Sequence, residues 1–590
     1  MCGICGEYRS DGTIPDSRAV TAMAEALAPR GPDGNGLFSQ RNVAFAHRRL
    51  KIIDLSEASH QPMTDSALGL VVVYNGILYN YKELRKELQD KGYSFFSHGD
   101  TEVLLKAYHA WGKDCVQRFQ GMFAFALWER DTGKMILARD RLGIKPLYFS
   151  SSGGRFRFAS SLPALVAGGQ VDTSIDPVAL HFYMSFHAVV PPPYTIFQGV
   201  RKLPPGHMME ITPDGGQTMK PYWSLSYART KEDETCDAVE WKERVMESLK
   251  TAVRRRLVAD VPVGVLLSGG LDSSLIVALL ADLGQSGLNT FSVGFEAAGG
   301  ELGDEFEYSD LIAREFSTEH HKIFVQSKEV LPNLMHCVQA MSEPMVSHDN
   351  IGFFLLSREV AKSLKVVQSG QGADEVFGGY FWYPPLMDSQ DPIADYSKLF
   401  FDRTHDEYAT AVHHKFVTEN HSQEFLKKRF AETDAVGGTD KALWMDTTVM
   451  LVDDPVKRVD NMTMAWGLEA RVPFLDHELV ELAARIPPAL KVKDGGKGIL
   501  KDVGREVLPH QVIDRPKGYF PVPALKYIQG EYLGFVRDVF EQPSAKQRSL
   551  FKKPYLDRMF ENPEQHITPL QGSKLWQMAL LEMWLQVHQK

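Results

Sequence analysis

Up to residue 160 the chain is built of short apolar or alternating runs: LGLVVVYNG (68–76), MFAFALWER (122–130), KMILARD (134–140), KPLYFS (145–150) and RFRFAS (155–160). Gly, Asp and Ser separate them, and such runs bounded by turn residues predict strands. Two segments switch to helical spacing. YNYKELRKELQDKG (79–92) is closed by Gly92, and DTEVLLKAYHAWG (100–112) sets Val103, Leu104, Ala107, Tyr108 and Trp111 on one face. Strands flanking few helices predict an α+β sandwich.

In residues 187–223 the stretch HAVVPPPYTIFQGVRKLPPGH carries five prolines and a DGG turn follows, which predicts irregular, exposed backbone. Beyond them the pattern changes. KEDETCDAVEWKERVMESLKTAVRRRL (231–257) reads as one charged helix. VPVGVLL (261–267), TFSVGF (290–295), HKIFVQ (321–326) and LKVVQSG (364–370) read as strands, with helices at 274–284 and near 308–317. This alternation predicts a doubly wound parallel sheet, followed by a largely helical remainder.

The chain has 590 residues, 44% hydrophobic and 24% charged, ordinary for a soluble globular protein and long enough for more than one core. A net charge of −10 leaves no excess of cations for phosphates, so nucleic acid is not an expected partner. Cys2, Cys5, Cys115, Cys236 and Cys337 are too few and scattered for a disulfide scaffold. The N-terminus lacks the basic-then-apolar pattern of a secretory signal, and no apolar run of about 18 residues occurs, so no membrane contact is expected and the cytoplasm is the expected location.

Three motifs carry chemistry. In LLSGGLDSS (266–274) a buried strand ends at Leu267, and Ser268, Gly269, Gly270, Leu271, Asp272, Ser273 and Ser274 open a helix. Backbone N–H groups then converge at a helix N-terminus, an anion site, with the Ser268 and Ser273 hydroxyls as further donors and Asp272 able to hold Mg²⁺. No lysine follows, which excludes a Walker A loop. The motif resembles the pyrophosphate-binding loop of ATP pyrophosphatases, which adenylate a substrate. VVQSGQGADEVFGGY (366–380) likewise ends a strand and presents Asp374 and Glu375. Ligands sit at the carboxyl ends of parallel strands, so this loop is expected to face the same cleft, Asp272 and Asp374 sharing a magnesium ion. Third, removal of Met1 would leave Cys2 with a thiol and a free α-amine, whose pKa near ~8 suits it as the thiol's general base. The other reading, a Cys2–Cys5 metal or redox pair, lacks a second ligand pair nearby.

MCGICG, APRGPD (28–33), AHRRLKIID (46–54), YNGILYNY (74–81), HGDTEVLL (98–105), GMFAFALW (121–128) and RDRLGIKPLYF (139–149) resemble class II glutamine amidotransferases. With SGGLDSS, SGQGADE and GLEARVPFLD (467–476), the whole chain is similar to the glutamine-hydrolysing asparagine synthetase family. The resemblance implies an N-terminal-nucleophile amidohydrolase sandwich over 2–220 and an ATP-pyrophosphatase domain over 230–590. It implies that Cys2 attacks glutamine, that Asn75 and Gly76 hold the oxyanion, and that Arg49 and Asp100 pair with the glutamine α-carboxylate and α-ammonium. It assigns ATP to Leu266, Ser268, Gly269, Gly270, Asp272, Ser273, Val293, Ser369 and Gly370, Mg²⁺ to Asp272 and Asp374, and charge stabilisation at the adenylating centre to Lys497. The partners it implies are L-glutamine, ATP and a carboxylate acceptor, with a homodimer as one assembly. Ammonia must travel neutral, which calls for a closed internal channel. Taken without the family, Asn75-Gly76 reads as a hairpin turn, Arg49 as a surface cation, Asp100 as a helix cap and Lys497 as a solvated turn residue. His320 and His321 read as surface or packing residues.

The chain departs from the family at three places. Ile77 replaces a glutamate after Asn75-Gly76. Gln371 replaces the glutamate of SGEGxDE in the acceptor part of the site. His348-Asp349-Asn350 falls where aspartate-using members carry a stretch that includes an arginine, which places His348 with Gln371 in the acceptor pocket. These changes point away from L-aspartate, and 366–386 most resembles the branch that amidates N-acetylglutaminylglutamine as an osmolyte; asparagine synthetase proper is the alternative. Tyr380, Phe381, Trp382 and Tyr383 either line a larger, less charged pocket or belong to the core.

Overall fold

The computed structural model describes residues 2–296, 303–515, 525 and 528–589. Met1, whose removal the N-terminal reading requires, lies outside the described residues. The N-terminal part stacks two six-stranded sheets. One runs in the order Arg201–Lys202, Tyr148–Ser152, Arg155–Ala159, Gly3–Arg9, Val43–Arg49, Gly34–Gln40. The other runs Gln217–Pro221, His207–Ile211, Met135–Arg139, Gly121–Glu129, Leu70–Leu78, Met63–Asp65. All their pairings are antiparallel.

Successive side chains of a strand point to opposite faces, so a strand covered on both sides must be apolar throughout. Leu70–Leu78 shows this: Val71 and Val73 enter the core between the sheets with Ile4, Phe45, Trp128 and Phe158. Val72 and Tyr74 enter the core under the helices Tyr81–Asp90 and Asp100–Trp111 with Leu88, Leu104 and Phe123. Helices Ser17–Ala26 and Leu162–Ala167 cover the outer face of the first sheet through Val20, Met23 and Leu165. The layers are helix, sheet, sheet, helix.

Two expectations are corrected. Residues 187–211 are largely buried, with Val189, Val190, Ile196, Phe197 and Val200 in the core, whereas the strand Gln217–Pro221 is exposed as expected; the segment holds three strands, Arg201–Lys202, His207–Ile211 and Gln217–Pro221. The prolines make a path between other elements rather than over the surface, because apolar residues are interleaved with them. The charged helix at 231–257 is two, Lys231–Thr235 and Ala238–Arg255. Asp237 restarts the second by accepting the Val239 and Glu240 N–H groups. Strands Gly3–Arg9, Gly34–Gln40 and Val43–Arg49 lack the β-branched signature and escape the pattern. In the first, Gly6 is required because a Cβ there would lie 2.7 Å from Phe158 and Phe45.

The second part is a five-stranded sheet, Glu319–Val325, Asn289–Phe295, Val263–Leu266, Val366–Gln368, Glu469–Arg471, parallel throughout. Chain order reverses between Val263–Leu266 and Val366–Gln368, and the crevice at the carboxyl ends of such neighbours is where α/β sheets bind ligands. Helices form most of the remainder, including the buried Lys574–His588 and, next to two π-helical turns at 446–450 and 452–456, Lys457–Met464. Among the described residues no helix is long and apolar enough to cross a membrane.

Candidate functional site

Cys2, Arg49, Gly76, Ile77 and Asp100 line one pocket, although they come from the chain start, two strands and a helix. Cys2 precedes the strand Gly3–Arg9 and is 7% exposed. Its backbone N–H donates to Asn75 Oδ1 at 3.0 Å. That bond fixes the amide, and Asn75 Nδ2 is left buried with no acceptor among the described residues, a donor set for a developing oxyanion. Asn75 and Gly76 lie within a strand opposite Ala124 and Phe123, not in a hairpin turn. A Cβ at Gly76 would sit 2.3 Å from the Met122 carbonyl oxygen, so only glycine fits.

Arg49, 4% exposed, is no surface cation: its guanidinium donates to the carbonyls of Asp54 and Ser56. Asp100 is the first residue of its helix, after the Gly99 cap. It accepts from Tyr74 Oη at 2.9 Å and the Leu78 N–H at 3.1 Å. Burial outweighs those bonds and pushes its pKa up to about 6. A buried carboxylate held this way favours a cationic group beside it. Burial also pushes the Cys2 thiol up, so a base is needed to make the thiolate. Cys5 is fully buried in the core, its Sγ facing the Val20 carbonyl.

The second part reaches into this pocket. Glu469 and Arg471 line it, and Asp460 receives Arg30 at 2.9 Å and Lys145 at 3.0 Å. Arg30 Nε also donates to the Cys2 carbonyl at 3.3 Å. Burial opposes the charge on Asp460, but the two cations outweigh it and hold the carboxyl below its usual range.

At the switch point of the parallel sheet the two loops touch. A Cβ on Gly370 would lie 2.9 Å from Asp272 Cβ, and Ser369 N–H donates to the Arg471 carbonyl at 2.8 Å. Gly269 adopts φ +74°, left-handed backbone that glycine tolerates, and the Ser268 N–H donates to Ser273 Oγ at 3.2 Å. No side chain caps the helix Leu271–Asp282 at Gly270, so its first-turn donors suit an anion. Leu266 ends the adjoining strand, and Val293 lies in the neighbouring strand Asn289–Phe295. Lys497 Nζ sits between Asp272 at 2.6 Å and Asp374 at 2.9 Å. Burial works against its charge, but the carboxylates outweigh it and hold the lysine above its ordinary pKa. Two carboxylates converging on one cation form a donor set that fits Mg²⁺, which keeps waters and takes few protein oxygens.

Gln371 and His348 are both half-buried, His348 at the start of the helix Asp349–Val360. Of the aromatic four, Trp382 and Tyr383 are core and donate to Asp446, Phe381 is half-exposed, and Tyr380 donates to Glu375 at 2.6 Å. Three residues escaped sequence reasoning. Arg458 contacts Ser347 and Asp349, bringing a guanidinium back beside His348 from a distant helix. Arg515 lies near Gly270 and is held by Glu305 through two 3.0 Å bonds. Asp460 joins the two parts. The single helix Lys457–Met464 thus reaches toward both regions, through Asp460, whose partner Arg30 bonds the Cys2 carbonyl, and through Arg458 beside Asp349. His320 bonds Thr290 and His321 stacks on Phe291, as packing residues do.

A sandwich with a terminal thiol pocket, joined to a parallel sheet with a phosphate-type loop, defines a two-part amidotransferase architecture. Residues 1–223 match the model of the glutamine amidotransferase domain, and 244–586 that of asparagine synthase. The chain is 31% identical to asparagine synthetase [glutamine-hydrolyzing] 3 of Bacillus subtilis over 95% of its own length and 93% of that protein's. It is also 31% identical to asparagine synthetase [glutamine-hydrolyzing] 1 of Bacillus subtilis, over 99% and 96%. The chain belongs to the asparagine synthase family.

The Asp100 environment makes a pH prediction. If Asp100 pairs with the glutamine α-ammonium, as the family resemblance implies, only its ionised carboxylate does so, and with a pKa of about 6 glutamine capture should fall as pH drops through that value. Asp100→Asn should raise the glutamine KM about 10- to 100-fold, flatten the acid limb and spare ammonia-dependent synthesis. A pH profile of kcat/KM from both proteins checks it; an unchanged acid limb in the variant would exclude Asp100.

Proposed function

We propose that residues 2–220 hydrolyse glutamine and that 230–590 use ATP and the released ammonia to amidate an N-acylated dipeptide of the N-acetylglutaminylglutamine type. The chain is a glutamine-hydrolysing carbon–nitrogen ligase of the AMP-forming kind. Cys2 attacks the side-chain amide of glutamine, its thiol proton passing to the α-amine that loss of Met1 would free. Asn75 Nδ2 and the Gly76 N–H receive the oxyanion, while Arg49 and Asp100 orient the α-carboxylate and α-ammonium. In the second site the loop 268–273, with Val293 and Ser369-Gly370 beside it, holds ATP, and Asp272 and Asp374 would hold Mg²⁺, which when bound neutralises phosphate charge. Lys497 then stabilises charge on the adenylating centre.

The acceptor assignment rests on one observation: buried carboxyls close in sequence to Gln371 and His348 take up protons more readily than free ones. Burial pushes Asp349 up to about 6, and burial with the neighbouring Asp374 pushes Glu375 up to about 7. A neutral amide, a tyrosine hydroxyl and easily protonated carboxyls complement peptide amides better than a second fixed charge. A charge left unpaired there costs about 1–3 kcal/mol. A second reading, amidation of L-aspartate to L-asparagine, is favoured by the names of the relatives. The test is kcat/KM by AMP release with glutamine saturating. The dipeptide should exceed L-aspartate by about tenfold or more; a tenfold advantage for aspartate makes the protein an asparagine synthetase proper.

A further inference from the structure

On the reading that the loop 268–273 holds ATP, it meets a triphosphate with little positive charge of its own. LLSGGLDSS contains no lysine or arginine, and the N-terminus of the helix Leu271–Asp282 is worth only about half an elementary charge. Lys497 serves the end of the turn where Asp272 meets Gly370, and two carboxylates already share it. The Gly270 end needs a cation from elsewhere in the chain.

Arg515 stands there. A Cβ on Gly270 would lie 3.5 Å from Arg515 Nη2, which puts the guanidinium beside the uncapped first turn. Its place is set from two directions by the segment that opens the helix Phe306–Glu315. Glu305 takes Nη1 and Nη2 on its two oxygens, each at 3.0 Å, and the Tyr308 ring centroid lies 4.3 Å from the guanidinium carbon. The same segment presses on the loop, since a Cβ on Gly269 would lie 2.6 Å from the Ser309 nitrogen and 2.8 Å from Tyr308 Cβ. Arginine presents several N–H donors in a rigid fork. Two go to Glu305, and among the described residues the others make no hydrogen bond. A guanidinium held by a carboxylate and a ring, with donors left over beside a phosphate-type loop, has already lost the rotamer freedom that gripping an anion would cost.

We propose that Arg515 binds the phosphates of ATP that leave as pyrophosphate, with Glu305 as its positioning residue. The two cations then serve different parts of the substrate, Lys497 the adenylating centre and Arg515 the leaving group. Which carboxylate the enzyme amidates does not enter.

Equilibrium binding to the full-length protein in magnesium buffer tests this, with α,β-methylene-ATP, inorganic pyrophosphate and AMP as probes. Arg515→Ala should weaken the analogue and pyrophosphate at least about tenfold, and AMP, which lacks the leaving phosphates, less than about threefold. Glu305→Gln keeps the guanidinium and should weaken pyrophosphate less than about threefold. Equal losses in the two variants would make the pair a structural tie and overturn the proposal. So would an AMP loss as large as the pyrophosphate loss, or Arg515→Ala protein that binds all three probes as the parent does. Parent protein that binds neither the analogue nor pyrophosphate at about 5 mM overturns the ATP reading itself, and the proposal with it.

Discussion

Replacing Cys2 with alanine is expected to cut glutamine hydrolysis at least about a thousandfold while ammonia-dependent amidation stays within about twofold of the parent. In the proposed mechanism the sulfur forms and breaks the acyl bond, and none of the other pocket residues supplies a nucleophile of comparable strength. Structural damage should be small. Alanine keeps the backbone N–H that donates to Asn75 Oδ1 and the carbonyl that accepts from Arg30. The contacts reaching Cys2 from the second part run through Arg30 and Asp460, not through sulfur. Glutamine and ammonium salts are compared as nitrogen sources with purified protein. Retained glutamine use by the alanine variant would remove Cys2 from the mechanism.

The second large effect is expected at the carboxylate pair. Asp374→Asn should lower AMP formation about a thousandfold, leaving basal glutaminase near the parental rate, because charge stabilisation of several kcal/mol is lost at one site only. This substitution is a cleaner probe than removal of Lys497. With asparagine at 374, Lys497 keeps Asp272 at 2.6 Å and no buried cation is orphaned. Removing the lysine would leave Asp272 and Asp374 facing each other close to Glu375, and like charges in a buried site are costly. The parent should release pyrophosphate and AMP in equal amounts. ADP as the stoichiometric product would end the adenylation mechanism, and an Asp374→Asn protein of parental synthetase rate would end the role of that carboxylate.

The local motifs were legible because their chemistry is contiguous. LLSGGLDSS is a strand end, a turn and a helix start within nine residues, and period and glycine placement suffice to read it. The parallel sheet was legible for the same reason: VGVL, TFSVGF and VVQ are short apolar runs alternating with helices. The resemblance carried Cys2, Arg49, Asn75 and Asp100, and the fold lines a single pocket with Cys2, Arg49 and Asp100, Asn75 bonding the Cys2 N–H.

What joins the two parts was not legible. Arg30 and Lys145 lie 430 and 315 positions before Asp460, and nothing in their own neighbourhoods marks them as partners. Arg458 could not be matched to Ser347 and Asp349, nor Arg515 to Gly270, before the helices were packed. The proline-rich stretch was misread because proline reports backbone stiffness and says nothing of what covers it. Sequence by itself determined the elements whose signal is periodic and the loop whose chemistry is local. Tertiary structure alone decided which charges meet, because a buried ion pair depends on two surfaces closing over it and that closure has no period along the chain.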